Sequence, residues 1–133
     1  MRQRGDLEAA ARSYELAIAP TPGFVSYSDE QAALQNLGLT RLAQGQYFEA
    51  ELAFEQALAH QRDPWVRRRL IHDLAAVAVA RGDPAEAVRL LGPEAGRPAP
   101  LPESILLLAR ALRDMGREGE ARAILSRLPA ESP

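Results

Sequence analysis

Apolar residues recur every three to four positions along most of the chain, and short polar or glycine-containing breaks separate these periodic segments. This spacing is typical of amphipathic helices. Ala and Leu are abundant while Val and Ile are scarce, a mixture that favours helix over sheet. The pattern predicts helices at about residues 6–19, 29–44, 47–61, 64–81, 84–91, 102–115 and 117–128. A loop at 20–27 and a proline-rich connection at 92–101 interrupt the series.

Three of these helices have recognisable start signals. Ser28 is a predicted N-cap, and Gln31, three residues later, completes a capping box. Asp63-Pro64 and Asp83-Pro84 each place a capping carboxylate before a proline at the first helical position. The sequence therefore predicts that these helices begin at about residues 29, 64 and 84.

A pattern of one glycine and two apolar positions occurs four times. The glycine is followed five residues later by Ala and nine residues later by a large apolar residue. The four sets are Gly5, Ala10 and Tyr14; Gly45, Ala50 and Phe54; Gly82, Ala87 and Leu91; and Gly116, Ala121 and Leu125. Successive glycines are 40, 37 and 34 residues apart. The chain is therefore a helical repeat with a period near 34 residues.

An apolar helix precedes three of these glycines, so the repeating unit is predicted to be a helix, a glycine turn and an antiparallel helix. Glycine suits the turn because it lacks a Cβ atom in the left-handed conformation that ends many helices. Small residues allow the paired helices to approach closely. These residues are Gly38, Ala75 and Ala109 on the first helices and Ala50, Ala87 and Ala121 on the second helices.

The pattern resembles the tetratricopeptide repeat, whose period is 34 residues. Residues 31–64 are the best copy, 65–93 a degenerate copy and 102–129 a further copy. The sequence departs from the family pattern at Leu34 and Arg41, where the family often has Trp and Tyr. The resemblance implies an all-α fold, a right-handed α-solenoid of antiparallel helix pairs. Residues 6–19 would be the lone second helix of a truncated repeat, as expected for a piece cut from a longer array.

The resemblance also implies a function, since such arrays are non-catalytic scaffolds that bind a peptide or protein along the concave face formed by their first helices. The family's face positions, together with one clamp position, give a set of candidate contact residues. They are Asn36, Leu39, Leu42, Arg69, His72, Val79, Leu106, Arg110 and Arg113. The groove would have an apolar floor with Arg and His at one end. Alternatively, its Leu and Val side chains only fill the gaps between helices.

Some members of the family grip a terminal carboxylate with a clamp of Lys, Arg and Asn side chains. Asn36 and Arg69 match the second half of that clamp. Asp73 stands where the next cation is needed, and the first half would fall on the missing helix. The sequence therefore does not favour a carboxylate clamp.

Composition excludes several other classes of function. The chain carries 16 basic and 18 acidic residues, a net charge of −2 that argues against a dedicated nucleic-acid binder. It contains no Lys and no Cys, and only His60 and His72 as histidines. No thiolate site, histidine-rich metal site, phosphate loop or nucleophile elbow can therefore be assigned. We predict no catalytic residue, no metal and no cofactor.

Several charged residues have a structural and a functional interpretation. Trp65 with Arg67, Arg68 and Arg69 could bind nucleic acid. A structural interpretation accounts better for this run. In it, Trp65 packs at the end of the previous helix and the Arg side chains point in several directions. Arg69 and Asp73, four residues apart, are expected to form a surface pair. The acidic residues of the helix at 47–61 are expected to form a solvated face; they are Glu49, Glu51 and Glu55.

Two aromatic residues, Phe24 and Tyr27, fall in the predicted loop at 20–27. They would reach over the groove edge or fill the space between repeats, and the sequence favours neither.

The remaining predictions concern context. The charged start of the chain is no signal peptide, and no apolar run could span a membrane, so the sequence favours a cytoplasmic protein. Exclusive use of Arg points to a GC-rich, bacterial genome. Two alternatives to a peptide-binding scaffold remain open. The chain could be the sensor or coupling segment of a larger bacterial regulator, or it could self-associate through the uncovered side of helix 6–19.

Overall fold

The computed structural model describes residues 26–129, and every regular element in that range is an α-helix. The helices are α1 (Tyr27–Ala43), α2 (Tyr47–His60), α3 (Pro64–Ala80), α4 (Pro84–Ala95), α5 (Pro102–Asp114) and α6 (Glu118–Leu125). Contacts join α1 with α2, α4 with α5, and α5 with α6. The predicted all-α array of packed helix pairs is therefore confirmed for this part of the chain. The predicted helix 6–19 lies outside the described residues.

The chain divides into two compact units between Asp73 and Leu74. Of the described residues, the first unit holds α1, α2 and the beginning of α3. The second unit holds the end of α3 and α4 to α6. The division of the sequence into repeats at 31–64, 65–93 and 102–129 stays a prediction.

The glycine turns form as the repeat pattern predicts. Gly45, Gly82 and Gly116 have φ angles of 76°, 85° and 77°, in the left-handed region that favours glycine. At the first turn, the N–H of Gln46 donates to the carbonyl of Arg41 (2.9 Å), and that of Gly45 donates to the carbonyl of Leu42 (3.0 Å). The other two turns repeat this pair of bonds. Each turn thus satisfies carbonyls that the preceding helix end leaves free.

Two of the three predicted helix starts are confirmed and one is wrong. Asp63 Oδ1 accepts from the N–H of Trp65 (2.8 Å), and Asp83 Oδ1 accepts from the N–H of Glu86 (3.3 Å). Helix α1, however, begins two residues earlier than predicted, and its N-cap is Ser26 rather than Ser28. The Ser26 hydroxyl accepts from the N–H of Asp29 at 3.1 Å, which satisfies one of the free donors of the first turn. Tyr27 therefore belongs to the helix and not to the loop.

Two predicted helix ends are also corrected. Helix α4 was expected to end at about residue 91, but it continues through Pro93 to Ala95. Proline has a φ angle close to that of a helix and removes only one helical hydrogen bond, so the last turn tolerates it. Helix α6 ends at Leu125, before the expected residue 128. Because α4 extends to Ala95, the proline-rich connection is shorter than predicted and covers residues 96–101.

The side chain of Glu94, near the end of α4, binds two residues of this connection. Twelve residues after their repeat glycines the other three copies hold Ala17, Ala57 and Leu128, whereas this copy holds Glu94, whose side chain is only 6% exposed. Its carboxylate accepts from the backbone N–H of Leu101 at 2.8 Å and forms an ion pair with Arg97 at 3.3 Å. One buried side chain therefore fixes both ends of the connection.

Glu94→Ala is expected to destabilise the protein by about 2 kcal/mol, because the buried N–H of Leu101 would lose its acceptor. Urea unfolding followed by circular dichroism measures the loss. Glu94→Gln is the matched control, since its amide oxygen can still accept that bond and its cost should be smaller. Equal losses for the two variants would contradict the role assigned to this hydrogen bond.

In the first unit, a close approach of helices α1 and α2 forms the core. Gly38 lies against the ring of Phe54, which is fully buried. Leu34, where the family often has Trp, is 2% exposed and fills the same core region of α1. Arg41 donates from its Nη1 to the Oε1 atoms of Gln44 (3.2 Å) and Gln46 (2.8 Å), which links the end of α1 to the turn. Both departures from the family pattern thus have a structural role.

The second unit has a core rich in alanine. The predicted close-approach residues Ala75, Ala87, Ala109 and Ala121 are each at most 1% exposed. They share one apolar cluster with Leu91, Leu108 and Leu112. The small-residue prediction is therefore confirmed in both units, since Ala50 is also fully buried in the first.

Candidate functional site

The predicted contact residues of α1 have different exposures. Asn36 is exposed, Leu39 is 44% exposed and Leu42 is half-buried. The opposite side of the helix is buried through Ala33, Leu34 and Gly38. Helix α1 therefore exposes Asn36 and Leu39 on the side away from its core, while Leu42, one turn after the buried Gly38, lies at the border of the buried side.

The beginning of α3 lies beside α1 in the first unit. Arg69 is exposed and His72 is half-buried. The Asp73 carboxylate accepts a hydrogen bond from the side chain of Gln35 on α1 and is attracted by the charge of Arg69. Gln35 and Asp73 therefore join α1 to the beginning of α3, while the grouping of the candidate residues into one groove stays a prediction.

Asp73 differs from the simple surface ion pair that the sequence predicted. The attraction to Arg69 is present, but burial raises the pKa of the Asp73 carboxyl to about 6. The hydrogen bond from Gln35 and the charge of Arg69 both lower it, and burial outweighs them. Sequence reasoning missed the contact with Gln35 because the two residues are 38 positions apart and no periodicity links them.

Helix α5 displays the most extended set of predicted contact residues. Leu106 is 54% exposed, and Arg110 and Arg113 are exposed on the same side at helical spacing. The other side of α5 belongs to the core; its buried residues are Ser104, Ile105, Leu108, Ala109, Ala111 and Leu112. Arg113 lies 4.0 Å from the carboxylate of Glu118, and Arg110 has no ion-pair partner among residues 26–129.

Val79 is a weaker candidate than its position in the repeat suggests. It is half-buried and packs against the apolar cluster of the second unit. The alternative interpretation, in which such side chains fill gaps between helices, therefore describes Val79 well.

A cleft of about 450 Å³ opens in the first unit, between the start of α1 and the segment that follows α2. Amide side chains line it, and the Gln61 amide donates to Gln31 Oε1 at 3.0 Å. The Tyr27 hydroxyl donates to the carbonyl of His60 and accepts from the N–H of Arg62 at 3.1 Å. Tyr27 thus closes one side of the cleft by bonding to the chain after α2. Phe24 lies outside the described residues.

A second, mainly apolar cleft of about 320 Å³ lies in the second unit. It is lined by α4, α5 and α6, with Val88, Leu108, Leu112 and Ile124 among its residues. An ion pair between Arg117 and Glu120 lies at its edge. The candidate contact residues of α5 are not among its lining.

The basic run at the start of α3 has separate structural uses. The Arg67 guanidinium donates to the carbonyls of Leu58 (2.7 Å) and Gln61 (3.0 Å) and so caps the end of α2. The Arg68 guanidinium lies 5.2 Å from the centre of the Trp65 ring, in a cation–π contact. The Arg side chains therefore point in different directions, as the structural interpretation predicts. Trp65 is 52% exposed, and its packing at the end of the previous helix stays a prediction.

Within residues 26–129, no group of three or more His, Cys, Asp or Glu side chains is placed to hold a metal ion. None of their helices has the length and apolarity needed to cross a membrane.

Comparison with known proteins identifies one segment. The family model of the tetratricopeptide repeat matches residues 33–64, which include most of α1, all of α2 and the segment up to the start of α3. The repeat generally mediates protein–protein interactions. No curated protein sequence matches the chain.

Proposed function

Because the chain contains a tetratricopeptide repeat at residues 33–64, we propose that it is a non-catalytic scaffold that binds a peptide through the exposed sides of its first helices. The contacts on α5 are Leu106, Arg110 and Arg113. The partner supplies apolar side chains and carboxylates. Binding uses no metal and no cofactor.

The arrangement on α5 carries this proposal. The helix buries one side completely and still leaves a Leu side chain 54% exposed on the other. Two arginines follow this Leu at spacings of four and seven residues, which places all three on one helical surface. An exposed apolar side chain can anchor a peptide, and Arg side chains beside it can recognise acidic residues.

The charge on this surface determines the preferred partner. Arg110 has no ion-pair partner among the described residues, so its guanidinium can pair with a carboxylate without breaking an existing bond. Arg113 has only a distant contact with the exposed Glu118. A peptide with two acidic residues near a Leu-sized side chain fits this pattern, and its affinity should fall as the salt concentration rises.

Arg110→Glu with Arg113→Glu is expected to abolish binding of such a peptide, because each change replaces attraction by repulsion. The peptide is obtained by displaying a random library against the wild-type protein, and its dissociation constant is then measured by fluorescence anisotropy. We expect one class of selected sequences to be rich in Asp, Glu and Leu, and peptides of this class to bind the double variant at least 30-fold more weakly.

Arg110→Glu and Arg122→Glu, compared singly, provide the matched control. Arg122 is also exposed and helical, but it lies on α6, a second helix. Its reversal changes the net charge equally and should leave the affinity within twofold. Circular dichroism verifies that helicity is unchanged. Undiminished binding by the double variant would overturn the assignment of α5 as the contact surface.

A further inference from the structure

Helix α2 exposes two large apolar side chains away from its core. Phe48 is 69% exposed, the highest value among the large apolar residues described, and Leu52, one turn later, is 46% exposed. The helix already packs against α1 through its other side, where Ala50, Phe54 and Ala57 are fully buried. Packing within the first unit therefore does not account for Phe48 and Leu52.

The internal repeats show that the framework does not require these side chains. Phe48 and Leu52 lie three and seven residues after the turn glycine Gly45. The same positions after the other three repeat glycines hold small or charged residues; these are Glu8 and Arg12, Ala85 and Arg89, and Gly119 and Ala123. In α4 and α6 they are exposed to solvent. Among the four copies, only the one that begins at Gly45 holds two large apolar residues at these positions.

Carboxylates surround the apolar pair. Glu49 follows Phe48 directly, and Glu55 lies three residues beyond Leu52 on the same side of α2. Both are exposed, and neither has an ion-pair partner among residues 26–129. An apolar pair at a spacing of four residues with unpaired acidic neighbours complements a helix that carries the same apolar spacing and cations beside it.

We propose that Phe48, Leu52, Glu49 and Glu55 form a second docking surface, the α2 patch, that binds a basic amphipathic helix of another protein. Phe48 and Leu52 contact an apolar pair on that helix, and Glu49 and Glu55 pair with its Lys or Arg side chains. The α2 patch is separate from the first-helix residues and prefers a partner of opposite charge. A second copy of this chain fits less well, because two acidic patches would repel each other.

Two synthetic peptides test this proposal on the full chain. One is an amphipathic helix of Leu and Lys, and the other carries Glu at every Lys position. We expect the Leu/Lys peptide to bind at least tenfold more tightly than the Leu/Glu peptide in fluorescence anisotropy at low salt. Phe48→Ser with Leu52→Gln should weaken its binding at least tenfold. Glu49→Gln with Glu55→Gln should weaken it at least threefold, with the difference lost at high salt.

Met115→Gln is the matched control, since it removes an exposed large apolar side chain that belongs to neither proposed surface and should leave binding of the Leu/Lys peptide unchanged. Circular dichroism confirms that the variants are folded. Equal binding of both peptides, or unchanged binding by the α2 variants, would overturn the proposal. So would failure of the wild-type chain to bind the Leu/Lys peptide. A wild-type dimer that Phe48→Ser converts to monomer would show that a second copy occupies the patch, which also contradicts it.

Discussion

Gly38→Ala is expected to lower the free energy of unfolding by about 2–3 kcal/mol, although the substitution adds only one methyl group. A Cβ atom at this position would lie 2.5 Å from the nearest ring carbon of Phe54. The ring cannot move aside easily, because it is fully buried between the helices of the first unit. Ala normally favours a helix over Gly, so the sign of the effect is diagnostic of the close approach.

Urea unfolding of Gly38→Ala, Phe54→Leu and the double variant measures the interaction directly. Phe54→Leu alone should destabilise by leaving a cavity, and the double variant should lose less than the two single losses added together. Gly119→Ala is the control, since Gly119 is an exposed helical glycine of α6 with no atom near its missing Cβ. That change should be neutral or stabilising. A stabilising Gly38→Ala would show that α1 and α2 do not pack so closely.

Asp73→Asn is expected to stabilise the protein at pH 7 by about 2 kcal/mol. Burial raises the pKa of the Asp73 carboxyl from 3.8 to about 6 in the folded state. The folded chain therefore holds this proton more tightly than the unfolded chain does. The neutral Asp73 carboxyl makes its full contribution to the free energy of unfolding below about pH 4. This contribution falls as the pH rises from about 4 to 6 and is absent above that range. Asn keeps the neutral form and an acceptor for Gln35 at every pH.

Unfolding free energies of wild type and Asp73→Asn, measured between pH 4 and 8, check this sign. The difference between them should be small at pH 4 and should grow until about pH 6. Glu49→Gln removes an exposed carboxylate from α2 and serves as the control for the general change in net charge. A difference that stays constant with pH, or that favours wild type at pH 7, would contradict the burial of Asp73.

The glycine turns and the close-packed small residues could be predicted from sequence because they depend on local conformation and on a repeated spacing. A positive φ angle restricts Gly45, Gly82 and Gly116 to one residue type, so the turn leaves a direct trace in the sequence. The N-cap of α1 was harder to place. Ser26 and Ser28 are both capable caps, and only the three-dimensional structure shows which hydroxyl reaches a free N–H.

The parts that sequence reasoning missed depend on contacts between distant elements. The hydrogen bond from Gln35 to Asp73 joins two helices, and no spacing rule predicts it. Glu94 left a trace as a break in the repeat pattern, but its bond to Leu101 could not be inferred from that break. The exposed residues of α5 are easier to predict from the sequence, because apolar and polar positions alternate with the helical period. This period places Leu106, Arg110 and Arg113 on the exposed side.

The central claim is that the first helices bind a peptide, and nuclear magnetic resonance tests it most directly. The protein is labelled with ¹⁵N and titrated with the acidic peptide selected by display. We predict the largest amide shift changes at Leu106, Arg110 and Arg113, with α6 unaffected. Changes confined to α2 or α6, with those three amides unmoved, would contradict the claim.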